Sequence, residues 1–100
     1  MFINKLPEKT VKQLFNAILS LETQEECLAF FDDICTMNEM KAFLQRLEVA
    51  RMLREGETYL DIQVEIGAAS ATITRIKKLL DYGSNGYNLV LDRIGNFEKL

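Results

Sequence analysis

The sequence predicts an all-α domain organised around a helix-turn-helix, and three observations predict it. Apolar residues recur at three- and four-residue spacing, with no two-residue alternation anywhere in residues 1–80. Threonines stand just before three of the apolar runs, at Thr23, Thr36 and Thr58, and two of them have a glutamate three residues on. The stretch from Tyr59 to Leu80, YLDIQVEIGAASATITRIKKLL, holds two short amphipathic segments separated at Gly67.

The elements follow in order. Pro7 suits the first turn of a helix, where its missing N–H has no intrahelical partner. Leu14, Phe15, Ile18, Leu19 and Leu21 then form one apolar face. Thr23 and Glu26 make a capping box for a second helix, with Cys27, Leu28, Phe30, Phe31 and Ile34 facing inward or towards a partner. Thr36 and Glu39 repeat the box and open a third helix. It carries Met40, Phe43, Leu44, Leu47, Ala50, Met52 and Leu53 and ends near Gly56, a helix C-cap. Thr58 caps the first helix of the motif. Gly67 sits at its turn, where one residue usually takes positive φ. Ile62, Ile66, Ala68, Ile73 and Ile76 are the apolar residues with which the two helices touch, and they are core.

Domain organisation is simple. Residues 1–82 read as one helical unit for dimerisation and for the motif at 59–80. Residues 83–100 read as a short tail after the turn-rich run DYGSNG. The tail is weakly helical or partly disordered, and a short helix is the preferred reading. Leu89, Val90, Leu91 and Ile94 are too apolar to stay in water, so they pack on the body or on a dimer mate. The chain has 100 residues, of which 48% are hydrophobic, enough for a core. It remains small for burying its own surface, and dimerisation would add to that burial.

Composition excludes more than it includes. With no histidine, no CxxC, no P-loop and no GxGxxG, the usual zinc sites and the imidazole-based mechanisms are out of reach, and an enzyme is not expected. No metal or cofactor is implied. Cys27 and Cys35 lie eight residues apart on one helix, about 12 Å along its axis, too far for a disulfide. They read as free buried thiols in a reducing compartment. No apolar run has the length of a membrane span and no signal-peptide pattern opens the chain, so a cytoplasmic protein without a membrane partner is expected.

Net charge is −3, but its distribution matters more than its sum. Residues 1–35 carry three basic and six acidic side chains, whereas Ile66–Leu80 carry Arg75, Lys77 and Lys78 and no acid. A basic face on an acidic body is expected. The second helix of the motif would enter a major groove of double-stranded DNA by its amino-terminal end. Ser70 and Thr72 suit base edges, and the methyls of Ala71 and the threonines suit a thymine methyl. Thr74, Lys77 and Lys78 suit phosphates. Ala69 and Ser70 lie where backbone N–H groups meet a phosphate at the positive end of the helix dipole. Gln63 on the first helix suits adenine or a backbone oxygen. No arginine leads the second helix, so readout by small polar groups, water and DNA shape is expected.

The run TMNEMKAFLQRLEVARMLREGETYLDIQVEIGAASATITRIKKLL resembles the Trp repressor family, and more closely the Trp-repressor-related (YerC/YecD-type) group of Gram-positive bacteria. IGAASATITR and LREGE carry most of the resemblance, which spans Thr36 to Leu80. It implies an intertwined homodimer whose two motifs read a palindromic operator. It also implies DNA contacts at positions that fall on Leu60, Gln63, Ala69, Ser70, Ala71, Thr72 and Thr74. Thr72 and Thr74 keep the family's residue type. Leu60 and Gln63 replace basic residues, so any operator differs from the tryptophan operator.

The same resemblance implies an effector pocket at Thr36, Arg46 and Arg75, the two arginines holding the corepressor between them. Here the pattern breaks. The residue after the second arginine is glycine in tryptophan-responsive members and Ile76 in this chain, and its side chain takes the space of the indole. Leu79 falls where the ligand's amino group would be bonded and offers no acceptor. Tryptophan is therefore disfavoured as corepressor, and a different small anionic effector stays open. For Arg46 and Arg75 the plain alternative is ion pairing with neighbours such as Glu39 or Asp61. For the chain, the reading is a homodimeric, repressor-like, sequence-specific DNA-binding transcriptional regulator. The alternatives are a protein-interaction module or a non-specific DNA-binding protein using the same helices.

Overall fold

The computed structural model describes residues 1–95. Those residues form a short 3-10 turn at Phe2–Lys5 and six α-helices, with no strand among them. They are α1 (Glu8–Leu19), α2 (Gln24–Ile34), α3 (Met37–Arg54), α4 (Tyr59–Ile66), α5 (Ser70–Tyr82) and α6 (Gly86–Ile94). The chain divides into two compact units, residues 1–40 and 41–100.

In the first unit the helix starts are locally determined. Pro7 stands at the N-cap of α1, one place before the first turn, and its carbonyl accepts from the Val11 N–H at 3.1 Å. Thr23 Oγ1 accepts from the Glu26 N–H at 3.1 Å, opening α2. Glu26 Oε1 reaches back to the Glu22 N–H, at 2.9 Å, rather than to that of Thr23. At the start of α3 the box is fully reciprocal. Thr36 Oγ1 accepts from the Glu39 N–H at 3.1 Å, and Glu39 Oε1 accepts from the Thr36 N–H at 2.9 Å. That last bond, to a charged acceptor, holds the Glu39 carboxyl below its ordinary range.

Packing in this unit is shallow. No residue of 1–40 is buried. Phe30 and Phe31 meet edge to face, with ring centroids 5.5 Å apart. Leu19 and Leu28 are 80% and 73% exposed. Cys27 is exposed and Cys35 partly so, and both are free thiols. The expectation that both are buried is corrected for Cys27, which lies on the open side of α2, next to the exposed Leu28.

The second unit closes a core. Val49, Ala50 and Met52 from α3, Ile62 from α4, Ala68 from the turn, Ile73 and Ile76 from α5, and Leu91 from α6 are all buried. Leu47, Leu53, Ile66, Leu80 and Tyr87 pack around them. α3 ends in a Schellman motif: the Glu57 N–H bonds the Met52 carbonyl and the Gly56 N–H bonds the Leu53 carbonyl, both at 3.1 Å. On its flank Arg51 is clamped between Glu48 and Glu55, which strengthens its hold on its proton, the bond to Glu48 most. Thr58 Oγ1 accepts from the Asp61 N–H at 3.1 Å and starts α4.

Residues 86–94, in the expected tail, are helical, and Leu91 of α6 is part of the core. Residues 96–100 of the expected tail lie outside the described residues. Gly83 makes this return tight. Its N–H bonds the Leu79 carbonyl at 2.9 Å, and a Cβ there would stand 2.5 Å from that oxygen.

Candidate nucleic-acid interface

The candidate interface is built on α4, the turn 67–69 and α5. Gly67 takes φ 76° and ψ 17°, and its N–H closes α4 on the Gln63 carbonyl at 2.9 Å. Left-handed backbone costs a side-chain-bearing residue about 1–2 kcal/mol, so glycine is the residue that turns the chain here. Ala68 then plugs the core at 4% exposed, and Ala69 redirects the chain into α5. Ile62 on one side and Ile73 and Ile76 on the other anchor the two helices to the same core, which fixes which faces are left for solvent.

The start of α5 differs from those of α2, α3 and α4. Its N-cap is Ala69, which has no side-chain acceptor. The first amide to find a helical acceptor is that of Ile73, which bonds the Ala69 carbonyl at 3.2 Å. The N–H groups of Ser70, Ala71 and Thr72 therefore keep their donors free, at the positive end of the helix dipole. Ala69, Ser70 and Ala71 are exposed around them, as is Thr74 one turn on. Thr72 is half-buried beside Ile73, so it is the least accessible of the residues read as contacts on this helix. Gln63 is half-buried on α4.

The basic residues of α5 are not equivalent. Lys77 Nζ lies 3.3 Å from Asp81 Oδ1, one turn away. Lys78 and Arg75 are exposed and have no ionic partner among the described residues. The i,i+4 spacing of Lys77 and Asp81 is visible in the sequence, though the sequence reading took Lys77 only as a phosphate contact. Val64 carries no signal in the sequence pattern. With Leu60 it forms an apolar pair one turn apart on the outer side of α4, at 79% and 69% exposed.

Of the residues of the expected effector pocket, Thr36 belongs to the first unit and Arg46 and Arg75 to the second. Thr36 is engaged in the capping box with Glu39. Arg46 and Arg75 are exposed and unpaired among the described residues, so neither forms the ion pairs with Glu39 or Asp61 that the spacing allowed. Ile76 is 2% exposed within the core, and Leu79 is 38% exposed.

Comparison with known proteins matches this chain to the Trp repressor protein family over residues 9–95. The uncharacterized Bacillus subtilis (strain 168) protein YerC is 56% identical over 98 residues, which is 98% of this chain and 94% of YerC. A crystal structure from Staphylococcus aureus, provisionally described as a Trp repressor, superposes with a TM-score of 0.90 at 49% identity, covering 94% of each chain. A TrpR-like protein from Eubacterium eligens superposes with a TM-score of 0.89 at 52% identity, covering 96% of this chain and 99% of its own. These relatives, an all-helical fold and an open helix start backed by an isoleucine core agree on one assignment: the chain belongs to the Trp repressor family of DNA-binding regulators, in its YerC-type group.

Proposed function

We propose that this protein is a sequence-specific, repressor-like transcriptional regulator. It binds double-stranded DNA as a homodimer through the helix-turn-helix of α4 and α5, and it does so without tryptophan. The observation that carries the reading is the exposed, uncapped start of α5. Three free backbone donors and the small side chains of Ala69, Ser70 and Ala71 face outward there, ahead of Thr74, Arg75 and Lys78 and with no acidic residue between Ile66 and Leu80. Backbone donors and cations serve phosphates and set register; Ser70, Ala71 and Thr72 read base edges and methyls.

Dimerisation is supported by the first unit, whose amphipathic helices contain no buried residue in one chain. The absence of a tryptophan response is supported by Ile76, whose side chain is locked in the core beside Ile73, and by Leu79, whose side chain accepts no hydrogen bond. Arg46 and Arg75, exposed and without ionic partners among the described residues, are available to a different small anion.

A second reading has its own observation. Leu60 and Val64 present apolar surface on α4 where basic residues would meet phosphates, as a protein-docking module would. Salt separates the two. Binding of purified protein to duplex DNA weakens steeply with salt if phosphates are neutralised. Lys78→Ala is expected to lower the salt slope by about 1 for every DNA sequence. Thr72→Asp is expected to abolish specific binding with helix content and dimer mass unchanged. Salt-insensitive binding, or normal specific binding by folded Thr72→Asp, overturns the reading.

A further inference from the structure

The second unit contains a polar chain that neither the core nor the DNA contacts use. Arg54 is the last residue of α3. Its Nη1 donates to the Asn88 carbonyl at 3.1 Å, and its Nη2 donates to the Asp92 carboxylate. Asn88 in turn donates from Nδ2 to the Leu80 carbonyl at 2.9 Å and to Asn85 Oδ1 at 3.1 Å. Leu80 lies in the last turn of α5, where carbonyls have no intrahelical donor. The chain thus runs from the end of α3, through α6, to the end of α5.

We infer that Arg54 and Asn88 are positioning residues for DNA binding. Their latch fixes the carboxy-terminal end of α5, so that its amino-terminal end is presented to the groove at a set angle without help from a small ligand. The inference rests on the DNA-binding reading above. Geometry makes the angle matter. α5 has 13 residues. At 1.5 Å per residue a tilt of about 10° at one end moves the other by about 3 Å, beyond what a hydrogen bond tolerates.

Apolar packing favours a crossing angle but leaves it a scatter of about 15–20°, which directional hydrogen bonds narrow. α6 contributes Leu91 to the core, with Tyr87 packed against it. The hydrogen bonds of Arg54 and Asn88 have direction. Gly83 shortens the connection between the helices and reduces the slack that would defeat a latch. Because the Arg54–Asp92 pair is exposed on both sides, 35% and 64%, it adds little to stability. Its removal is therefore expected to separate positioning from folding.

The test measures affinity for a selected duplex, the salt slope of that affinity and the urea midpoint for wild type, Arg54→Ala, Arg54→Lys, Asn88→Ala and the charge exchange Arg54→Glu with Asp92→Arg. Arg54→Ala and Asn88→Ala are expected to bind about tenfold more weakly, the worth of roughly one lost base contact. The salt slope stays that of wild type, since no phosphate contact goes, and the urea midpoint hardly moves. Arg54→Lys does not rescue, because one ammonium does not reproduce the guanidinium fork. The charge exchange does not recover it either, because a carboxylate at position 54 has no donor for the Asn88 carbonyl. Wild-type affinity in both alanine variants overturns the latch alone. So does a salt slope lower by about 1 in Arg54→Ala, which makes Arg54 a phosphate contact. Affinity loss that tracks loss of stability, or full recovery by Arg54→Lys or by the exchange, also overturns it. A wild-type protein that ignores duplex DNA overturns the latch and the underlying reading together.

Discussion

Residues 1–40 and residues 41–95 are built from the same kind of helix, yet they differ completely in what they bury. In the second region eight side chains from four helices and a turn close a core around Met52, Ile62 and Ile73. In the first, α1 and α2 carry equally apolar faces and bury no residue at all. The difference teaches that an amphipathic pattern states that a face will be covered without stating by what. α4 and α5 find their cover within their own chain, and in doing so leave the start of α5 open. α1 and α2 hold no buried residue, and apolar side chains as exposed as Leu19 and Leu28 are unfavourable in water. On the proposed account a second copy supplies their cover, and the two regions divide the labour into pairing and reading.

The largest expected effect breaks the comparison from the side of the first region. Placing Leu19→Glu and Leu28→Glu together puts two carboxylates per chain into the proposed pairing surface, at several kcal/mol for each that is buried. Sedimentation is expected to show monomers, and thermal stability is expected to fall and to lose the concentration dependence of the dimer. Unchanged mass and melting would mean that these faces are solvent-exposed in solution as well.

A smaller loss comes from the second region. Ile73→Ala empties part of a closed core and is expected to cost about 2–5 kcal/mol in urea unfolding. The dimer mass at working concentration should persist, because the side chain is covered within one chain. Dissociation ahead of unfolding would show that the two regions are not separate in what they stabilise.

The smallest effect concerns a cap. The Glu39 carboxyl is held below its ordinary range by accepting the Thr36 N–H. A depressed carboxyl favours the folded state above its unfolded pKa, and that contribution is lost as pH falls through the folded value. Glu39→Gln is therefore expected to flatten a shallow acid-side slope in stability and leave neutral-pH DNA binding unchanged. An identical slope in both proteins would remove the carboxylate from the cap.

Much of the second region was legible because its signals are local. Thr58, Gly56 and Gly67 act within four or five residues of where they stand, and Ile73 and Ile76 fall on one face of α5 by spacing alone. The capping box at Thr36 and Glu39 was legible for the same reason. What stayed hidden is non-local. Arg54 and Asp92 are 38 positions apart, and nothing in either neighbourhood announces the bond. Gly83 reads as one more turn residue until the Leu79 carbonyl is seen beneath it. Thr72 lies partly buried although its spacing placed it outward, because Ile73 draws that side of the helix down to the core. For Cys27 and Leu28 the pattern gave a face and no occupant, and the face is open in the single chain.

The most direct test of the account is selection of sheared genomic DNA by purified protein at about 100 mM salt, with and without tryptophan, followed by sequencing of the bound fraction. The account predicts one enriched palindrome with half-sites about one helical turn apart, the same in both conditions. No enrichment without ligand, or enrichment only when tryptophan is present, would contradict it.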